Sequence, residues 1–171
     1  MIVETQHLIL RPWIVEDAQA LLAILQEKDI LRYFPPTEPR SIEKVRRYIL
    51  FHQKHWRERG YGHWAVVERQ SGRLIGWNGL EYLPDTDETE VAYLLSRDFW
   101  GRGYASEAAQ AAVRFGFEQA GLLQIIGLVH PDNIASQRVL EKCGLLFVDR
   151  KIYFGMQMCR YRIERERTPL A

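Results

Sequence analysis

Residues 99–108 read "FWGRGYASEA", and this stretch constrains the fold more than any other. Gly101 and Gly103 bracket Arg102, and an alanine-rich run follows. Glycine lacks a Cβ and tolerates φ > 0, so the chain can turn sharply here. From Tyr104 to Ala120 the spacing predicts a helix closed by Gly121, with Ala105, Ala108, Ala109 and Ala112 as a small face that lies close on a sheet. "EVAYLLS" before the turn reads as a strand. "LLQIIGLVH" after the helix is short, apolar and partly β-branched, as a buried strand is. Strand–helix–strand crossovers are right-handed and usually leave the two strands parallel.

The flanking segments supply the other elements. "TQHLILRPW" alternates as a strand over Thr5 to Arg11, and "AQALLAILQE" puts Leu21, Leu22 and Leu25 at helical spacing. Prolines make "YFPPTEPR" a loop. Ser41 opens a second helix through "IEKVRRYILFHQKHWRER", which Gly60 and Gly62 stop. "GHWAVVER" and "RLIGWNGLEYL" flank a Ser-Gly turn as a hairpin. "PDNIASQRVLEKCG" is a helix with Asn133 as N-cap and Gly144 as its stop. A last hairpin turns at Gly155, and its charge run "YRIERERT" reads as a solvated outer edge. The predicted class is α/β (α+β): a mixed sheet of about seven strands, with helices on both faces. At 171 residues the chain suits one domain, over residues 5–166, with a frayed tail at 167–171.

Composition narrows the function. The chain is 47% hydrophobic and 26% charged, enough to bury a real core. Twenty-three basic and 22 acidic residues leave a net charge of +1, which is no footprint for nucleic acid. No apolar run is long enough for a membrane, and "MIVETQHLILRPW" lacks the apolar core of a signal peptide. Cys143 and Cys159 match no metal-ligand spacing. They read as reduced thiols of a cytoplasmic protein without a metal site.

Helix starts carry unpaired N–H groups and a partial positive charge, and so bind phosphate where the backbone can be approached. The glycine turn fits that use, with Arg102 as a further donor. Taken alone, it fits equally a tight strand-to-helix turn with a solvated arginine. A Walker loop needs a lysine that is missing here, and the dinucleotide fingerprint needs a third glycine where Ser106 stands.

"EVAYLLSRDFWGRGYASEAA" followed by "HPDNIASQRVLEKCG" resembles the GNAT superfamily of N-acetyltransferases, in particular its RimJ/RimL-like branch. That branch carries Tyr-x-Leu, then Trp-Gly-Lys/Arg-Gly-Tyr-Ala-Thr/Ser-Glu-Ala, then Pro-x-Asn-x-x-Ser-x-x-Val-Leu-Glu-Lys-x-Gly. The resemblance spans residues 5 to 166 and implies acetyl-CoA as acyl donor. It maps the pyrophosphate signature onto Trp100, Gly101, Arg102, Gly103, Tyr104 and Ala105, with tryptophan at the usual Gln/Arg position. It implies that the strands on either side of the helix splay, with the pantetheine arm along Leu94 and Leu95. Asn133 and Ser136 match the family's Asn-x-x-Ser at the thioester end.

The implied reaction is direct attack by a primary amine, from a protein N-terminus or a small molecule. A non-catalytic acyl-CoA sensor is the alternative. Amines are mostly protonated at neutral pH, so a base is needed. Glu90 is the residue the resemblance favours, with Glu81 as runner-up; both also fit as plain strand carboxylates. Gln157 stands where some members keep a carboxylate in the final hairpin, and Leu140 where many place a tyrosine. Ser136 is left as hydrogen-bond donor to the departing thiolate, or as a simple helix cap. His63 and Trp64 either pack or line the acceptor pocket. His130 reads as structural, and Glu107 as a complement to the helix dipole. A homodimer is compatible with this reading.

Overall fold

The computed structural model describes residues 1–35 and 41–165. Its strands are β1 (Val3–Glu4), β2 (Leu8–Arg11), β3 (His63–Glu68), β4 (Leu74–Leu83), β5 (Glu88–Leu95), β6 (Gln124–Val129), β7 (Leu146–Tyr153) and β8 (Met156–Glu164). They form one sheet in the order β1-β2-β3-β4-β5-β6-β8-β7. The helices are α1 (Ala18–Leu25), α2 (Ile42–Arg59), α3 (Tyr104–Glu118) and α4 (Ile134–Lys142). The tail at 167–171 and most of the proline loop lie outside the described residues.

Every residue of β3 is buried, because helices cover both faces of the sheet. Trp64 and Val66 point into a core with α3, whereas Ala65 points into a second core with α1 and α2. The alanine face of α3 behaves as expected: Ala108, Ala109 and Ala112 are fully buried beside Trp64, Leu80 and Val91. Fully burying a side chain such as Leu80 stabilises the fold by roughly 1.5–3 kcal/mol. Gly116 and Gly127 extend this close packing; a Cβ on Gly127 would come within 2.5 Å of the buried Leu140 side chain.

Among the described residues the sheet has eight strands, where about seven are expected. The expected Thr5–Arg11 strand is broken, and Val3–Glu4 folds back on Leu8–Arg11 as an antiparallel pair. The break has a cause: Glu107 of α3 accepts from the His7 backbone N–H at 2.7 Å and contacts His7 Nδ1 at 2.8 Å. The "YRIERERT" run is also not an outer edge. Up to Glu164, β8 lies between β6 and β7. Just before the run, Arg160 of β8 is met inside the sheet by Glu88 at 2.7 Å and Asp149 at 2.9 and 3.0 Å, and within the run Arg162 pairs with Glu164 at 3.3 Å. The edge is β7, which exposes Leu146, Phe147 and Ile152.

The β3–β4–β5 meander is antiparallel, and β5 and β6 are parallel, as the crossover rule demands. The β5–β6 ladder holds a single register position, Glu90 opposite Ile126. Past it β5 runs on to Leu95 and β6 to Val129 with no further pairing between them. This fork is the feature that positions the site.

Candidate active site

Three helices begin in different ways. Ser41 caps α2 by accepting from the Lys44 N–H, and Asn133 caps α4 by accepting from the Ser136 N–H at 3.2 Å. No side chain caps α3; its N-cap is Gly103, at φ 82°. The first N–H groups of α3 are therefore left for another acceptor. Gly101 is also left-handed, at φ 72°, and a Cβ on either glycine would meet nothing within 4 Å. The backbone face is open. Both conditions for a diphosphate cradle are met: free donors, and room to approach them.

Arg102 does not fold over this cradle. Its guanidinium lies 5.1 Å from the Phe99 ring and lines an open hollow with Glu68, Arg73 and Asp98. Arg73, which the sequence did not single out, stacks on the same ring at 5.4 Å. Tyr104 is buried, and its hydroxyl donates to Glu68 Oε1 at 3.3 Å. Ala105 is half-buried against the core. Trp100 is more than half exposed, and its indole N–H donates to the Leu95 carbonyl at 2.7 Å. It thereby ties the end of β5 to the turn. Leu94 and Leu95 are buried, and β4 pairs with them through Trp77 and Gly76.

Across the fork, Tyr93 of β5 reaches the start of α4. Its hydroxyl lies 2.8 Å from Ser136 Oγ and donates to the Ser136 carbonyl at 3.1 Å. Burial pushes the Tyr93 phenol well above its ordinary range. Sequence reasoning gave Tyr93 no role, although it is the tyrosine of the quoted Tyr-x-Leu. Leu140, where a tyrosine is common, is buried in the core. The Tyr93 hydroxyl instead reaches Ser136, at the start of α4, from β5. Gln157 is exposed on the far hairpin.

Glu90 sits at the base of the fork and is almost fully buried. Its pKa is pushed up to about 8, first by desolvation and then by the charge of Glu81; a Leu128 backbone hydrogen bond pulls the other way. Glu81 stands opposite it in register, on β4, and burial raises it too. Glu90 shares its face with Ala92 and Leu94, the side covered by α1 and α2. His63 also lies on this face, fully buried, with Nε2 3.4 Å from Glu81 Oε2. Trp64 points the opposite way and belongs to the core. His130 packs against Tyr33 with the rings tilted, and its Nδ1 accepts from the Asp132 N–H.

Residues 7–146 match the acetyltransferase (GNAT) domain. The chain is 33% identical over 144 residues to the N-acetyltransferase YoaA of Bacillus subtilis (strain 168), spanning 84% of this chain and 81% of that protein. An acetyltransferase from Agrobacterium tumefaciens str. C58 superposes with a TM-score of 0.83 at 25% identity, over 96% of this chain and 95% of that one. RimL, a ribosomal L7/L12 alpha-N-protein acetyltransferase solved in complex with coenzyme A, superposes with a TM-score of 0.79 over 96% and 98% of the two chains. At 19% identity, that last likeness is one of fold.

Proposed function

We propose, for a chain that belongs to the GNAT acetyltransferase family and is an N-acetyltransferase, that it transfers acetyl from acetyl-CoA to a primary amine by direct attack in a ternary complex. The observation that carries this reading is the placement of Glu90. A buried carboxylate stands at the base of an open strand fork, on the side away from the uncapped start of α3.

Bound acetyl-CoA supplies a thioester carbon for the amine to attack. The amides of Gly101, Arg102, Gly103, Tyr104 and Ala105 hold its pyrophosphate, and the free N–H groups and open backbone there fit that group. Leu94 and Leu95 line the fork edge for the pantetheine arm, in the manner of an added strand. Asn133 and Ser136 meet the thioester end. Trp100 serves by holding the Leu95 carbonyl. Glu90 takes the proton that the amine loses, and a carboxylate of pKa about 8 suits that work near neutral pH. Ser136 offers a hydrogen bond to the sulfur as it leaves, turning its O–H from the Tyr93 oxygen to do so.

We place the protein in the RimJ/RimL-like branch on its Trp-Gly-Arg-Gly turn and its Asn-x-x-Ser. The acceptor is a protein N-terminal amine or a small-molecule amine. Free, buried Cys143 and Cys159 suit a cytoplasmic setting. The apolar β7 edge suits a homodimer, since an edge strand with exposed Leu146, Phe147 and Ile152 is a surface to be covered. A non-catalytic sensor would leave the buried Glu90 carboxylate, with Glu81 opposite it, at the fork without a use.

An amine library that includes peptides with free N-termini, incubated with acetyl-CoA and read by mass spectrometry, tests the reading. An acetylated amine with matching release of free CoA is expected. Binding of acetyl-CoA with no acetylated product from any amine would favour the sensor.

A further inference from the structure

We propose that Tyr93 is a positioning residue for departure of the thiolate: its hydroxyl backs Ser136 and polarises the serine O–H toward the sulfur. The inference rests on the reading that Ser136 meets the thioester end, and it adds to that reading a residue from the opposite arm of the fork.

Ser136 lies in the first turn of α4 and is held at three atoms. Its N–H donates to the Asn133 side chain at 3.2 Å. Its carbonyl accepts from the Tyr93 O–H at 3.1 Å, and its Oγ lies 2.8 Å from the same phenol oxygen. Tyr93 stands on β5, three residues past Glu90, where the ladder to β6 has its one register position. The phenol therefore spans a gap that backbone pairing does not close.

The protons can be followed one by one. A phenol carries a single proton. With that proton on the Ser136 carbonyl, the 2.8 Å contact is made by the serine O–H, which donates to the phenol oxygen. Ser136 gives its O–H to a thiolate in preference to the phenol, because hydrogen bonds to ionised groups are the stronger ones. Once it turns, two oxygens 2.8 Å apart face each other with lone pairs alone. The Tyr93 O–H relieves this by turning from the carbonyl to Oγ. The carbonyl lies within α4, so the helical N–H four residues on still bonds it. The result is a chain in which Tyr93 donates to Ser136 and Ser136 donates to sulfur, each bond strengthening the next. No proton leaves either oxygen. Desolvation holds the phenol well above its ordinary range, so Tyr93 keeps the proton that it donates. The titratable groups acting on it are Cys143, at the C-terminal end of α4, and Glu90, on its own strand.

The test is carbon-13 NMR of the full-length protein saturated with CoA labelled at the carbon beside its sulfur. The shift of that carbon follows ionisation of the thiol, so neither an acceptor nor turnover is needed. In the parent the bound thiol is expected to ionise at lower pH than that of free CoA. Ser136→Ala should raise its pKa by about one to two pH units, the worth of one hydrogen bond to an ionised group. Tyr93→Phe keeps the ring, removes the O–H and should raise it by at least about 0.3 of a pH unit. Adding Tyr93→Phe to Ser136→Ala should change nothing further, since Tyr93 acts through the serine. Glu90 titrates in the same range, but all four proteins keep it, so the differences belong to the hydroxyls. A thiol pKa unmoved or lowered by Tyr93→Phe overturns the proposal, and so does an equal effect of that substitution with and without Ser136. A tyrosine that only packs would change CoA affinity and leave the thiol pKa in place. Ser136→Ala tests the chain from its other end and does not depend on the folding of Tyr93→Phe: a thiol pKa no higher than the parent's overturns the proposal as well. Failure of the underlying reading shows differently, as a parent that does not bind CoA at all.

Discussion

Glu90 of β5 stands directly opposite Glu81 of β4, and the two carboxylates share the sheet face under α1 and α2. Two acids in register in a buried setting do not ionise independently. Glu90, the deeper of the two, keeps its proton to about pH 8.

That pairing sets the pH profile of the reaction. The value of kcat/KM should rise with pH through an apparent pKa near 8. Glu81→Gln removes the charge that raises Glu90, so the rise should move to lower pH. Glu90→Gln should cut turnover by about 10² or more at pH 7, with CoA affinity little changed and the loss shrinking at high pH. Equal activity of Glu90→Gln and parent at pH 7 would transfer the role to Glu81 or to a water chain.

The same group affects stability. Its folded pKa, about 8, lies above the unfolded value of 4.5, so between these pH values the folded state binds more protons. Stability contributed by this group is full below pH 4.5 and falls as pH rises toward 8. Urea titrations from pH 5 to 9 should show this decline in the parent and a flatter curve in Glu90→Gln.

The glycine turn is testable by binding alone. Gly103→Val puts a β-branched side chain at φ 82° and in front of the free amides of α3. Affinity for CoA should fall by at least about 2 kcal/mol, measured by calorimetry, while the circular dichroism spectrum stays native. In the parent, CoA at 100 times its dissociation constant should add roughly 2.7 kcal/mol of stability. NAD and ATP should give much smaller thermal shifts.

Gly76 shows how tightly β4 passes β5. A Cβ there would lie 2.0 Å from the Leu94 carbonyl oxygen, a backbone atom with nowhere to move. Gly76→Ala should cost several kcal/mol in chemical denaturation, near the upper end for point substitutions. A loss under 1 kcal/mol would show that β4 and β5 can part locally.

Much of this protein is determined by sequence alone, and the reason is locality. A cap, a glycine turn or an alanine face acts within a few residues, so Ser41, Asn133, Gly103 and the buried face of α3 are all legible from composition and spacing. The parallel β5–β6 pair follows from the α3 crossover that joins the two strands. What the tertiary structure decided depends on contacts between distant segments. His7 meets Glu107 across 100 residues, and that contact breaks the first strand in two. Arg160 of β8 finds Glu88 across 72 residues, and β7 pairs along the outer side of β8, so the charge run up to Glu164 lies within the sheet instead of at its rim. Glu90 becomes a weak acid only because Glu81 is set beside it and water is kept out. Strand register and burial create that environment, and neither can be read from the eight residues that lie between the two in the chain.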